Sequence, residues 1–132
     1  MATIFTKIIN GTIPSHKIAE DEHHFSFLDI NPIAEGHTLV VPKEETDYFF
    51  DLSEHEIHEM MNFAKKVAAG MDQALEPLRT GIIVQGLEVP HAHIHLVPLY
   101  TQTQPMALGH KVEVSKERME ELSKIISKMV QL

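Results

Sequence analysis

The stretch His91-Ala92-His93-Ile94-His95-Leu96-Val97 decides how this chain is read. In an extended strand, residues i, i+2 and i+4 share one face. His91, His93 and His95 are therefore expected on one side, with neighbouring Cα atoms of the set about 6.6 Å apart. Ala92, Ile94 and Leu96 fall on the other side, against a core. A strand over residues 91–99 would thus be apolar on one face and carry three imidazoles on the other. Two chemistries fit that pattern. Neutral imidazole is a nucleophile near neutral pH. Alternating His on a strand also chelate zinc, with His37 available as a fourth ligand. Spacing alone leaves both open.

Outward from this segment, the chain supplies a frame for it. Residues 3–10 read as a short helix with Ile4, Phe5, Ile8 and Ile9 apolar, ended by Asn10-Gly11. Strands are expected over 17–20 and 24–30, around the acidic turn Asp21-Glu22, and Asn31-Pro32 breaks the second. Gly36 and Pro42 bracket a β-branched strand over 37–42. Ser53 followed by Glu56 is a capping box. It opens a helix whose apolar positions, Ile57, Met60, Met61, Ala64, Val67, Ala68, Met71 and Leu75, predict one buried face before Pro77 stops it. Residues 81–85 form a short strand. Ser115 caps a final helix, to about residue 131, with Met119, Leu122, Ile126 and Met129 on one side. The tract 100–114 predicts no regular element. Five strands and two main amphipathic helices in this order predict a single α+β domain over residues 1–132 with an antiparallel sheet.

Composition narrows the function. A length of 132 residues suits one core. A formal net charge of -8 with no basic stripe argues against a nucleic-acid partner. It leaves room for a single nucleotide, which a few local donors can hold. There is no Cys, so no thiolate serves as nucleophile or ligand. Residues 1–7 lack a basic leader followed by an apolar run, and no stretch reaches the roughly 20 apolar residues of a membrane span. A cytoplasmic protein without membrane contact is expected. His55-Glu56-Ile57-His58 lacks the spacing of a zinc-protease helix and reads as an exposed face. His16, His23, His24 and His110 carry no pattern.

Several separated blocks resemble one known family. They are Ile4-Phe5 with Ile8-Ile9, Gly11-x-Ile13-Pro14, Phe27-x-Asp29-Ile30-x-Pro32 and His37-x-Leu39-Val40-Val41-Pro42-Lys43, followed by the His-x-His-x-His segment. In order and spacing, over about residues 3–98, they are similar to the nucleotide-binding branch of the histidine-triad (HIT) superfamily. The resemblance implies a hydrolase or transferase acting at the α-phosphate of a purine nucleotide conjugate, such as a nucleotidyl-lysine or an aminoacyl adenylate, through a nucleotidyl-histidine. It implies His93 as nucleophile. His91 and His95 would orient it, donate to phosphate oxygens and assist proton transfer, and His37 would back them from a neighbouring strand. It places Phe5, Ile8, Phe27 and Ile30 around the base and Asp29 on the ribose hydroxyls; backbone N–H groups near Gly86 and Val89 are available to substitute for the phosphate donors that Leu87 and Glu88 do not supply. The tract 100–110 would line the leaving-group pocket. The resemblance further implies a homodimer, with the two sheets joined, and no cofactor or metal. Relatives with an N-terminal Cys pair hold structural zinc, whereas Thr3 and Thr6 stand at those positions here. On residue chemistry alone, Ile8, Phe27 and Ile30 would also fit a core, and Asp29 a turn.

One departure stands out. Leu87 and Glu88 occupy positions where the family often carries Gln and a hydroxyl residue. An ionised Glu88 has no proton to donate to a phosphate. If the strand already ran at residue 88, parity would place Glu88 with Ala92, pointing away from the triad. A nucleotide-binding module with little catalysis and a zinc-binding protein using the His cluster are the rival readings.

Overall fold

In the computed structural model, which describes residues 2–132, five strands form one antiparallel sheet in the order β1-β2-β3-β5-β4. The chain runs α1 (Ile4–Ile9), β1 (Lys17–Glu20), β2 (His24–Leu28), β3 (Thr38–Pro42), a 3-10 turn (Phe49–Asp51), α2 (Glu54–Leu75), β4 (Arg79–Ile83), β5 (Ile94–Leu99) and α3 (Lys116–Met129). The α+β class and the antiparallel sheet agree with the sequence reading.

The capping signals operate as their residues require. The Thr3 hydroxyl accepts from Thr6 N–H at the start of α1. Ser53 and Glu56 form the reciprocal box that opens α2. Helix α2 ends at Glu76 in the left-handed region, ahead of Pro77. Gly36 has φ +91°, and a Cβ there would strike the Leu75 side chain, so the turn into β3 requires glycine.

Strand parity divides the sheet into two environments. Ile18, Leu28, Val40, Ile94 and Leu96 face α2 and α3 and join Met60, Phe63, Val67, Met71, Leu122 and Ile126 in the main core. Phe25, Phe27, Leu39 and Val41 face the other way and pack with Phe5 of α1. Ile94 is fully buried. Its truncation to Ala is expected to cost about 2–5 kcal/mol, the range for emptying a packed aliphatic site.

Several expected boundaries and faces shift for identifiable reasons. The β5 ladder begins at Ile94, not His91, because residues 87–91 are bends and Pro90 lacks an N–H for pairing. The strand expected over 81–85 is Arg79–Ile83, since its ladder partners run only from Leu99 to His95. β2 stops at Leu28, short of Ile30, because the Asp29 carboxylate takes the Asn31 N–H into a turn. On α2, Met61 is exposed and Phe63 is buried. Met129 of α3 is likewise exposed. Residues 100–114 have no helix or strand but are tied down: Val112 N–H donates to Pro32 O, and Leu108 packs on Ile33, Ala34 and Val97.

Candidate active site

The cleft opens on the α1 side of the sheet. Phe5, Ile8, Phe27, Asp29, Ile30, Glu88, Val89, His93 and His95 all line it. His91 and His37 lie beneath, fully buried. The expected alternation survives although the ladder does not reach His91: Ala92, Ile94 and Leu96 are in the core, and the three imidazoles turn away from it.

Each ring is held by specific bonds, and those bonds fix where its proton sits. His91 Nε2 lies 2.7 Å from Pro42 O, a group that can only accept, so the proton is on Nε2. Its Nδ1 then accepts from the Thr3 hydroxyl at 2.8 Å. Both nitrogens are thus occupied by protein. The expectation that His91 donates to a phosphate oxygen is corrected: its side chain is a strut, buttressed by the edge of Phe5. Burial holds its pKa below the ordinary histidine value, against the opposing pull of Pro42 O and Glu45.

His93 is oriented by the backbone of His91. Its Nδ1 lies 2.7 Å from the His91 carbonyl oxygen, so Nδ1 carries the proton and Nε2 keeps a lone pair. No described protein group bonds that Nε2. The Phe5 ring packs edge-on at 5.0 Å between centroids, which fixes the plane of His93 from the side.

His95 has the opposite tautomer, set by a chain that begins in the backbone. Ile33 N–H donates to Nδ1 of His37 at 3.0 Å. The His37 proton is therefore on Nε2, which lies 2.9 Å from Nδ1 of His95. His95 must then carry its own proton on Nε2, and that buried atom has no partner. An unpaired buried donor is costly unless something arrives to accept from it. Burial, with His93 and His37 nearby, lowers the His95 pKa to about 3. His37 is lowered too, chiefly by burial and partly countered by Asp29. His93 and His95 stand 4.9 Å apart between ring centroids. One presents a lone pair and its neighbour an N–H.

The remaining expected residues divide by burial. Phe5 and Phe27 are buried and make an apolar wall with Ile8. Ile30, which residue chemistry alone would also have allowed in a core, is 73% exposed on the cleft rim. Asp29 has a double attachment: one carboxylate oxygen accepts from Asn31 N–H, and the other lies 3.5 Å from His37 Nε2. The carboxylate thus serves the turn and also faces the buried His37.

Two expectations are overturned. Glu88 does not point away: its carboxylate and one nitrogen each of His93 and His95 lie within 4.8 Å of one another. The parity argument fails because no strand runs at residue 88. No residue of 100–110 lines this cleft; Tyr100 instead donates to Glu35 O at 2.6 Å. Sequence reasoning also missed Glu45, which accepts from Thr3 N–H and from the Thr6 hydroxyl and so braces the residue that braces His91. It missed His24, buried against Phe63 and paired with Asp21, which has a structural place outside the cleft. Two groups have the donor types for a metal ion, Asp29 with His37 and His95, and Glu88 with His93 and His95.

The family model described as HIT domain matches residues 10–102. An uncharacterized HIT-like protein of Borreliella burgdorferi is 33% identical over 132 residues, spanning 94% of this chain and 95% of its own length. The adenosine 5'-monophosphoramidase HNT1 of Saccharomyces cerevisiae is 35% identical over 109 residues, or 82% of this chain and 69% of that protein. Among solved structures, a hypothetical histidine triad nucleotide-binding protein from Sulfolobus tokodaii matches with a TM-score of 0.85 at 27% identity, covering 96% of this chain and 91% of the other.

Proposed function

The chain belongs to the HIT domain family, and from that premise we propose that it hydrolyses the phosphorus–nitrogen bond of purine nucleoside monophosphate conjugates through a nucleotidyl-His93 intermediate. The observation that carries this reading is the pairing of opposite tautomers. His93 offers an unshared electron pair at Nε2, while His95 offers an unpartnered N–H beside it. Relatives in yeasts named adenosine 5'-monophosphoramidase support the substrate class.

The steps follow from these atoms. Nε2 of His93 forms a bond to the α-phosphorus. The bond from phosphorus to the leaving nitrogen breaks, its electron pair stays on nitrogen, and nitrogen takes a proton from water at the cleft mouth. The positive charge gained by His93 is stabilised through Nδ1–H and the His91 carbonyl. His95 Nε2–H donates to the phosphoryl oxygen as charge builds there. Water then attacks phosphorus and gives up a proton to the hydroxide left by the first step, and the Nε2–phosphorus bond breaks with its electron pair returning to Nε2 of His93. The Val89 N–H adds a second donor in this proposal. Phe5, Ile8, Phe27 and Ile30 sandwich the base, and Asp29 accepts from the ribose hydroxyls.

The test is turnover of an adenosine 5'-phosphoramidate with product analysis. Wild type should release AMP and amine, and quenched enzyme should carry the mass of one added nucleotidyl group. His93→Ala should retain its fold by circular dichroism and lose both signals. Activity of that variant within a few-fold of wild type would falsify the nucleophile assignment.

The proposal extends to a homodimer in the cytoplasm. β4 lies at one edge of the sheet. Ile82 on β4 and Met61 on α2 are exposed and line a common groove. An uncovered apolar edge invites a second strand. Ile82→Lys should shift the mass in solution from dimer to monomer. No helix among the described residues is long and apolar enough to cross a membrane.

A further inference from the structure

We propose that Glu45 is a positioning residue for the reaction: by fastening α1 to the loop that follows β3, it holds His91 and His93 in the arrangement from which Nε2 of His93 attacks. This rests on the phosphoramidase reading above and adds to it a residue outside the cleft.

Residues 42–46 grip the elements around the triad at three points. Pro42 O takes the Nε2–H of His91 at 2.7 Å, and Thr46 O takes the Ala92 N–H at 2.6 Å. Between them, Oε1 of Glu45 accepts from Thr3 N–H at 2.7 Å and also from the Thr6 hydroxyl. The bonds from Thr6 and Thr3 hold the Glu45 carboxyl below the ordinary glutamate value, so it accepts as an anion near neutral pH. Among the described residues, every hydrogen bond from residues 3–9 to a residue beyond Ile13 ends on Glu45 or His91. Helix α1 has six residues, far below the length at which a helix holds itself in water. Its place therefore depends on these bonds and on the packing of Phe5, Ile8 and Ile9.

Glu45 acts on the nucleophile along two routes. The first runs through a hydroxyl. With its amide held by Glu45, Thr3 accepts from Thr6 N–H and turns its hydroxyl to Nδ1 of His91 at 2.8 Å. His91 in turn offers its carbonyl to Nδ1 of His93 at 2.7 Å. The second route runs through Phe5, which α1 carries. Its ring stands edge-on to both imidazoles, 5.6 Å from His91 and 5.0 Å from His93 between centroids. Without the carboxylate, Thr3 is released, and the strut and the aromatic contact loosen together. A displacement of about 1 Å at a reacting group can cost on the order of a hundredfold in rate. Glu45 does not line the cleft and touches no substrate, so any effect on chemistry passes through the rings.

Four variants test this: Glu45→Ala, Glu45→Gln, Thr3→Val, and Glu45→Ala combined with Thr3→Val. Each is followed through a single turnover of an adenosine 5'-phosphoramidate at saturating substrate, well below its melting temperature, and by NMR of the histidine ring nitrogens in the free protein. Saturation separates the chemical step from any loss of binding at Phe5 and Ile8. Glu45→Ala should slow nucleotidyl transfer by about tenfold to a hundredfold. Glu45→Gln, whose amide oxygen still accepts both bonds, should stay within about threefold of wild type. Thr3→Val should also slow the step, and the double variant should be no slower than Glu45→Ala alone, because both changes break one chain. In wild type the two His93 nitrogens should resonate far apart, one protonated and one bare. They should draw together in Glu45→Ala and stay apart in Glu45→Gln. A full rate in Glu45→Ala with only a lowered melting temperature, additive losses in the double variant, or unchanged ring signals overturn the role of Glu45 while leaving the phosphoramidase reading intact. A wild type that releases no AMP overturns both.

Discussion

Nε2 of His37 lies 2.9 Å from Nδ1 of His95, and the Ile33 amide occupies the other nitrogen of His37. One backbone N–H therefore sets the proton positions on two rings, and the second of these presents its N–H beside His93. Changing His37 to Ala deletes the donor that holds this tautomer. His95 can then place its proton on Nδ1 and lose the donor on the cleft side. Turnover should fall roughly 10–100-fold, the scale for losing a group that orients a catalytic imidazole. KM should move little, because His37 touches no part of the substrate in this scheme. Equal losses in kcat and affinity, with a lowered melting point, would point to simple collapse of the site.

Asp29 should matter to binding through the sugar. Each charge-assisted hydrogen bond to a ribose hydroxyl contributes on the order of 1.5–3 kcal/mol before desolvation is subtracted. Asp29→Ala should weaken binding of a ribonucleoside monophosphate while leaving the 2′,3′-dideoxy analogue nearly unaffected. If calorimetry finds the same loss for both ligands, the turn through Asn31 is the only role of this carboxylate.

Acid should destabilise the fold through its buried rings. The His95 pKa is lowered to about 3, and His37 and His91 are also held below their ordinary value. The unfolded chain titrates these rings near the ordinary 6.5. Below that pH it binds more protons than the folded chain, so stability rises with pH across this window. The contribution is complete above about pH 6.5 and is lost progressively as pH falls toward 3. The urea midpoint should therefore drop between about pH 7.5 and pH 5, and His95→Gln should flatten that slope. Identical slopes in wild type and variant would show that other groups carry the acid sensitivity.

Metal should be dispensable. The nucleophile in the proposed scheme is an imidazole lone pair, and Thr3 and Thr6, which carry no thiolate, are engaged in hydrogen bonds to His91 and Glu45. Dialysis against a chelator should leave phosphoramidate turnover unchanged. Loss of activity on chelation, restored by stoichiometric zinc, would favour instead the donor groups around His95.

The legible parts of this fold were those with local, periodic causes. The Ser53 and Glu56 pair announced α2 because a cap is a contact over three residues. The alternation of His and apolar residues announced which side of the segment was core. Position within the ladder was less legible. Ile94 begins β5 because Pro90 and the preceding bends break pairing, and where pairing resumes depends on β3 and β4 rather than on the segment itself. Glu88 was misplaced for the same reason, since parity holds only inside a ladder. The roles of Glu45 and His24 depend on contacts with residues distant in the chain or on another element, Thr3 in one case and Phe63 in the other. No short-range pattern encodes them.

The Thr3 hydroxyl on His91 has a practical consequence for handling the protein. His91 holds His93 through its carbonyl, so the His93 ring is moored, by way of one threonine, to the N-terminal cap of α1. A purification tag or fusion partner joined directly ahead of Thr3 would tug on that mooring. The same graft placed beyond α3 lies far along the chain from it. Assays on differently tagged preparations should therefore disagree in rate while agreeing in fold, and inserting a flexible spacer before Thr3 should reconcile them.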